Sequence, residues 1–204
     1  MGAQASSLRP EVLSDLQDST NFTADEIREY YKEFTKDCPH GHLTLTVDDF
    51  KAAYAHVFPQ GDATVFAEHV FRTFDRGTNG RIDFRAFLQT LSTQLKGGFM
   101  EKLEWIFHLY DIDNTGYISR EELLIMIEAI DQLNRGHVPT EERVSPRALV
   151  DYIMSRADND HDNKLSKQEF ISGALSSKTI QRMLVGTLAA SSSPFAHRKK
   201  LAKH

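Results

Sequence analysis

The chain has 204 residues, 40% hydrophobic and 26% charged, an ordinary water-soluble composition with room for one or two cored domains. A net charge of −5 disfavours phosphate-rich partners, so no nucleic acid is expected. The single cysteine, Cys38, excludes an internal disulfide and fits a reducing compartment; no secretory signal is read, and the apolar run at 123–127 is too short to span a bilayer.

In chain order, Met1-Gly2-Ala-Gln-Ala-Ser6 fits the N-myristoylation pattern, with Gly2 as the acylated residue. Leu8, Val12, Leu13 and Leu16 predict a short helix. Thr23-Ala-Asp-Glu26 is a capping box that opens a second helix through Tyr30, Tyr31 and Phe34.

Next comes Lys36-Asp-Cys-Pro-His-Gly-His-Leu43, a degenerate version of a twelve-residue calcium loop. Gly41 and Leu43 stand at positions 6 and 8 when counting starts at Lys36. Cys38 and His40 replace the oxygen ligands of positions 3 and 5, and position 12 is Val47. The nearest carboxylates, Asp48 and Asp49, come late, so this reads as a scaffold without a calcium site. His40 and His42 raise the thought of zinc, against which stands the commoner fate of loop histidines, simple solvation.

The second loop, residues 75–86, keeps Asp75, Asn79 and Asp83 at positions 1, 5 and 9. It has Gly77 at position 3 and Ala86 at position 12. Losing the bidentate acid removes two of roughly seven oxygens and one charge, leaving a weak site or a silent one. Ala67, Val70, Phe71 and Phe74 form the apolar stripe of its entering helix.

Residues 111–122 fit the loop fully. Asp111, Asp113, Thr115, Ser119 and Glu122 fill the side-chain positions, Tyr117 offers its carbonyl, and Gly116 takes the sharp turn. Leu103, Ile106, Phe107 and Tyr110 precede it at helical spacing, and Leu123, Ile125, Met126 and Ile130 follow. Trp105 is expected to be partly buried at the joint between halves. The fourth loop, residues 158–169, offers Asp158, Asp160, Asp162, Ser166 and Glu169, with the Lys164 carbonyl. Asn163 replaces the turn glycine, which asparagine tolerates. Ser145-Pro146 starts its entering helix, whose stripe is Val150, Ile153, Met154 and Ala157. A last helix carries Ile180, Met183, Leu184 and Leu188, before a basic tail with Arg198, Lys199, Lys200 and Lys203.

The loops thus recur from 36, 75, 111 and 158, and recurrence predicts an all-α fold of four EF-hand helix–loop–helix units in two paired lobes. The aliphatic residues at position 8 (Leu43, Ile82, Ile118 and Leu165) are expected to pair as short β-bridges between loops. The first lobe is placed at 1–95, the second at 96–190 and a flexible basic tail at 191–204, with Gly97-Gly98 at the joint.

The acylation start, Leu8-Arg-Pro-Glu11, Lys36-Asp-Cys-Pro with Gly41, Ala67-Glu-His-Val-Phe-Arg-Thr-Phe-Asp75, Ile82-Asp-Phe-Arg85 and Gly116-Tyr-Ile-Ser-Arg-Glu-Glu122 resemble the neuronal calcium sensor family of recoverin-, visinin-, hippocalcin- and neurocalcin-like proteins. The resemblance covers residues 2 to about 186, and it implies a cytoplasmic calcium sensor, peripheral on membranes, not an enzyme. Calcium would uncover an apolar groove for a target protein; channels, receptor kinases and cyclases are regulated by members of the family. Tyr30, Tyr31, Phe34, Tyr54, Phe58, Phe71 and Phe84 resemble the groove lining, although aromatics at helical spacing are more often core. Gly41 and Gly97 match the family's swivel glycines. This chain departs from the pattern at Gly77 and Ala86, at Tyr30-Tyr31, and in two extra residues between Leu43 and Phe50. About two calcium ions per chain are expected, in the third and fourth loops, with covalent myristate on Gly2. The alternative is a calcium buffer without a target.

Overall fold

The computed structural model describes residues 8–38, 43–75, 80–134, 144–181 and 183–184. The acylation motif, Gly41, His40, His42, the middle of the second loop, Leu188 and the basic tail lie outside the described residues.

Helices and short strands alternate as the repeat predicts. The first lobe contains α1 (Pro10–Asp18), α2 (Ala24–Asp37), β1 (Thr44–Thr46), α3 (Val47–Val57), α4 (Thr64–Phe74), β2 (Arg81–Asp83) and α5 (Phe84–Lys96). The second contains α6 (Phe99–Tyr110), β3 (Tyr117–Ser119), α7 (Arg120–Leu133), α8 (Pro146–Ala157), β4 (Lys164–Ser166) and α9 (Lys167–Ser176). Within each lobe the two strands pair antiparallel, Leu45 opposite Ile82 and Ile118 opposite Leu165. All four side chains are fully buried, so each bridge pins its two loops to the lobe core. Burying such a side chain contributes about 1.5–3 kcal/mol.

The register of the first loop differs from the count that starts at Lys36. Leu45, not Leu43, occupies the bridge, and Leu43 is exposed. The reason lies in the preceding helix. Helices α4, α6 and α8 end immediately before Asp75, Asp111 and Asp158, whereas α2 runs on through Asp37 and ends at Cys38. The extended helix takes up the two extra residues. Residues 38–49 then span the same interval as 111–122, and Asp49 rather than Val47 stands at the last position.

Local signals set the helix starts. Thr23 with Glu26, Thr46 with Asp49, Ser119 with Glu122 and Ser166 with Glu169 all form reciprocal capping boxes, each cap worth about 1 kcal/mol. Ser145 caps α8 ahead of Pro146 at its first position. The apolar stripes of α4, α6 and α8 are buried as their spacing predicts. Val12 and Ile125 are exceptions, lying on the outer faces of α1 and α7. At the joint, Gly97 caps α5 and Gly98 precedes α6. A Cβ at Gly97 would fall 2.4 Å from the Thr93 carbonyl oxygen, so the tight passage requires glycine.

The lobes are docked through α4, which packs on α6 and α7. Trp105 is buried there, more fully than its sequence position predicts, and its Nε1 donates to Thr73 Oγ1 at 3.2 Å. At the other end of α4, Asp62 N donates to the Gln132 carbonyl at 3.1 Å. Gly61 approaches so closely that a Cβ would fall 1.9 Å from the Leu133 carbonyl oxygen.

Candidate calcium centres

The third loop gathers its acids by construction. Asp111 follows the last residue of α6 and is buried; Glu122 is the third residue of α7 and is also buried. Left-handed Asn114 and Gly116 fold the intervening chain back. Asp111 accepts from Thr115 N at 2.9 Å and Gly116 N at 3.0 Å, and Asp113 accepts from Thr115 N at 3.1 Å. Glu122 closes the ring. One of its oxygens accepts from Ile112 N at 2.8 Å and Asp113 N at 3.1 Å, the other from Ser119 N and Oγ at 2.8 and 2.7 Å. One oxygen each of Asp111, Asp113 and Glu122 lies within 4.8 Å of the others. The hydrogen bonds led by that from Thr115 hold the exposed Asp113 carboxyl below its ordinary pKa, keeping it anionic.

The fourth loop repeats the construction. Asp158, buried at the end of α8, accepts from His161 N at 2.8 Å and Asn163 N at 3.1 Å. Asn163 takes φ 65°, the left-handed turn expected of it, and His161 takes φ 61°. Asp160 accepts from Asp162 N, and Asp162 from Lys164 N. Oxygens of Asp158, Asp160 and Asp162 lie within 4.8 Å of one another. Glu169 accepts from Asn159 N at 3.0 Å and from Ser166 N and Oγ, and the Ser166 bonds lower its pKa most.

In both loops the candidate ligands are carboxylate oxygens, hydroxyls (Thr115 and Ser119 in the third, Ser166 in the fourth) and the backbone carbonyl of Tyr117 or Lys164. An all-oxygen, multiply charged set in a short loop suits a hard cation of calcium's size.

Among the described residues, the first lobe keeps the strand bridge and the helix starts that flank these loops, and its side chains at the loop ends differ. In the second loop Asp75 accepts from Gly80 N at 2.9 Å, and Asp83 caps α5 through Ala86 N. Ala86 stands where Glu122 and Glu169 reach back, and its methyl cannot close the loop. In the first loop Asp49 accepts from Thr46 N at 2.8 Å and Oγ1 at 2.6 Å, the same contacts that Glu122 makes with Ser119. At the first position of the same loop, where Asp111 and Asp158 stand in theirs, is the Cys38 thiol. Burial, then the charges of Asp49 and Asp37, push the Cys38 pKa up to about 11.

Tyr30, Phe34, Tyr54, Phe58, Phe71 and Phe84 are buried, and Tyr31 is half-buried against Phe84. Here they form the core of the first lobe, Phe34 packing on Phe84 and Phe50 on Tyr54 and Phe71. An apolar cavity of about 280 Å³ lies instead in the second lobe, between Ile127, Ile130, Leu149, Ile153, Met183 and Leu184. The stripe carrying Ile180 and Leu184 foretold a buried final helix, but no sequence signal marks a cavity beneath it.

One residue had no sequence signal. Arg72 of α4 donates to the carbonyls of Asp111 at 2.7 Å, Leu109 at 2.9 Å, His108 at 3.3 Å and Ile112, where α6 gives way to the third loop. Burial lowers its pKa, against which Asp111, Glu122 and Asp113 act to raise it.

Paired helix–loop–helix units with acid-lined loops define an EF-hand protein, and the EF-hand domain pair family matches residues 100–175. Over 186 residues the chain is 35% identical to recoverin of Homo sapiens, covering 89% of this chain and 92% of that protein. It is 34% identical to S-modulin of Aquarana catesbeiana over 185 residues, 89% of this chain and 90% of that protein. The chain belongs to the neuronal calcium sensor family, and its acid clusters are those of a calcium-binding sensor.

Proposed function

We propose that this protein is a two-ion calcium sensor whose second lobe takes the ions and whose first lobe is a silent scaffold carrying the acylated end. The observation behind this reading is the contrast at the last loop position. Glu122 and Glu169 each fold back onto the start of their own loops, whereas Ala86 offers no oxygen and Asp49 bonds to Thr46 in a loop that begins with a thiol, Cys38. Asp111, Asp113, Thr115, Tyr117, Ser119 and Glu122 would hold one ion; Asp158, Asp160, Asp162, Lys164, Ser166 and Glu169 the other.

The lobes at 1–95 and 96–190 work as units in this reading, with 191–204 as a basic tail. Calcium changes the apolar surface offered to a target protein, of which a channel, a receptor kinase or a cyclase is the family's kind. The buried aromatics of the first lobe would serve such a groove only after the lobe opens. No catalytic role is assigned. Myristate on Gly2 and residence in the cytoplasm at membrane surfaces complete the proposal; among the described residues no helix is long and apolar enough to cross a membrane.

Calorimetry on wild-type protein tests the stoichiometry: two ions are expected, and a third would overturn the silent second loop. Calcium-dependent adsorption to a hydrophobic matrix separates sensor from buffer, since a buffer barely opens. For the membrane, acylated protein should sediment with anionic vesicles, Gly2→Ala should abolish this, and removing 197–204 should weaken it in a salt-sensitive way. One acyl chain binds only marginally and needs a second signal. With the first lobe silent, calcium should change the bound fraction modestly.

A further inference from the structure

The last carbonyls of a helix have no partner within it and carry the negative end of its dipole. At the end of α6 these groups face α4, and Arg72 supplies the answering charge. Its two terminal nitrogens reach four carbonyls where the helix ends and the loop begins: His108, Leu109, Asp111 and Ile112. Two of those carbonyls belong to the first two residues of the third loop. The guanidinium therefore caps a helix in the other lobe and is tied to the first two residues of the loop that clusters Asp111, Asp113 and Glu122.

We infer that Arg72 is a resident counter-cation of the third loop, which holds α4 against α6 and opposes the entry of calcium. This rests on the reading of residues 111–122 as a calcium site. Without an ion, Asp111, Asp113 and Glu122 crowd together, and a fixed positive charge nearby relieves their repulsion. With a dication among them, the same guanidinium faces a cation. One coupling free energy then has two expressions: calcium weakens the Arg72 contact, and the contact lowers calcium affinity by the same factor. Trp105 reports on it, because its Nε1 bond goes to Thr73, the neighbour of Arg72.

The test is calcium titration by calorimetry and Trp105 emission in a Glu169→Gln background, which leaves the third loop alone. The arms are Arg72, Arg72→Met and Arg72→Lys, at low and high salt. Arg72→Met should tighten binding about tenfold at low salt and less at high salt. Its calcium-free Trp105 emission should already lie near the calcium-loaded value of the Arg72 parent. Arg72→Lys, which keeps the charge and loses the fork, should bind within about threefold of the parent. Unchanged or weaker binding by Arg72→Met would overturn the inference, because the residue would then be only a brace for the loop. If Arg72→Met does not fold, Arg72→Lys decides: parental affinity with a retained salt dependence supports the inference, and a weakened site refutes it. A parent that takes up no calcium in this background would instead refute the calcium reading of the third loop.

Discussion

The two lobes pose a controlled comparison within one chain. Both build paired helix–loop–helix units, both bridge their loops through two buried aliphatic residues, and in both an acid or alanine occupies the third residue of each exiting helix. At Glu122 and Glu169 that side chain does two jobs: it returns to the capping serine and also reaches the loop's first amides. Asp49 is one methylene shorter and does the capping job with Thr46. Ala86 does neither, and Asp83 caps α5 alone. Helix capping is thus present at all four exits, whereas the reach back to the loop's first amides is made by Glu122 and Glu169. The first-lobe bridge keeps its register with Ala86 or Asp49 at that position.

The largest effect should come from breaking the closing acids. Glu122→Gln and Glu169→Gln should each remove one ion by calorimetry, costing at least about a hundredfold in affinity, because the amide loses a charge and the bidentate grip. The amide oxygen can still accept from Ser119 or Ser166, so the calcium-free fold should survive, as circular dichroism would show. Loss of the fold in both variants would mean that capping and closure are one function.

The comparison is sharpened by repair. Gly77→Asn with Ala86→Glu should give the second loop an ion, raising the calorimetric count to three. Asp49→Glu should add none, because Cys38 stands at the first position of its loop, where Asp111 and Asp158 stand in theirs. Calcium uptake on Asp49→Glu alone would show the closing acid to be sufficient as well as necessary.

Stability measurements test the register of the first loop. Leu45→Ala empties a fully buried bridge position and should cost about 2–5 kcal/mol in denaturant unfolding. Leu43→Ala changes an exposed side chain and should stay within about 0.5 kcal/mol. The reverse order would restore the count from Lys36.

Much of this was legible from residue types alone. Loop ligands at fixed intervals, capping boxes and apolar stripes are local signals, and each demands one local geometry; Asn163 at φ 65° is an example. What escaped depends on choices the local code leaves open. The bridge position slid from Leu43 to Leu45 because α2 gained half a turn, which Lys36 and Asp37 permit and no residue forbids. Val12 and Ile125 fit an apolar reading and still face outward. Arg72 was invisible because its partners are backbone carbonyls 36 to 40 residues away, and backbone carries no sequence signature. The closeness of Gly61 to Leu133 is hidden for the same reason.

The smallest expected effect concerns the thiol that replaces a carboxylate. Cys38 ends α2 in a buried position, and burial, Asp49 and Asp37 all disfavour its thiolate, raising its pKa from 9.0 to about 11. A thiol whose pKa is raised by folding is held neutral in the native state, while the unfolded chain ionises at its ordinary value. The contribution to stability is then fully present below pH 9 and is lost as pH rises toward about 11. Wild-type protein should lose stability over that window relative to Cys38→Ala, read as converging denaturation midpoints. At pH 8 the native thiol should react with an alkylating reagent far more slowly than the unfolded one, because only thiolate reacts and little of it is present. Rapid labelling of the folded protein would place Cys38 in solvent with an ordinary pKa. It would also end the comparison of position one across the loops, since a solvated thiol at the end of α2 would not stand where Asp111 and Asp158 are buried.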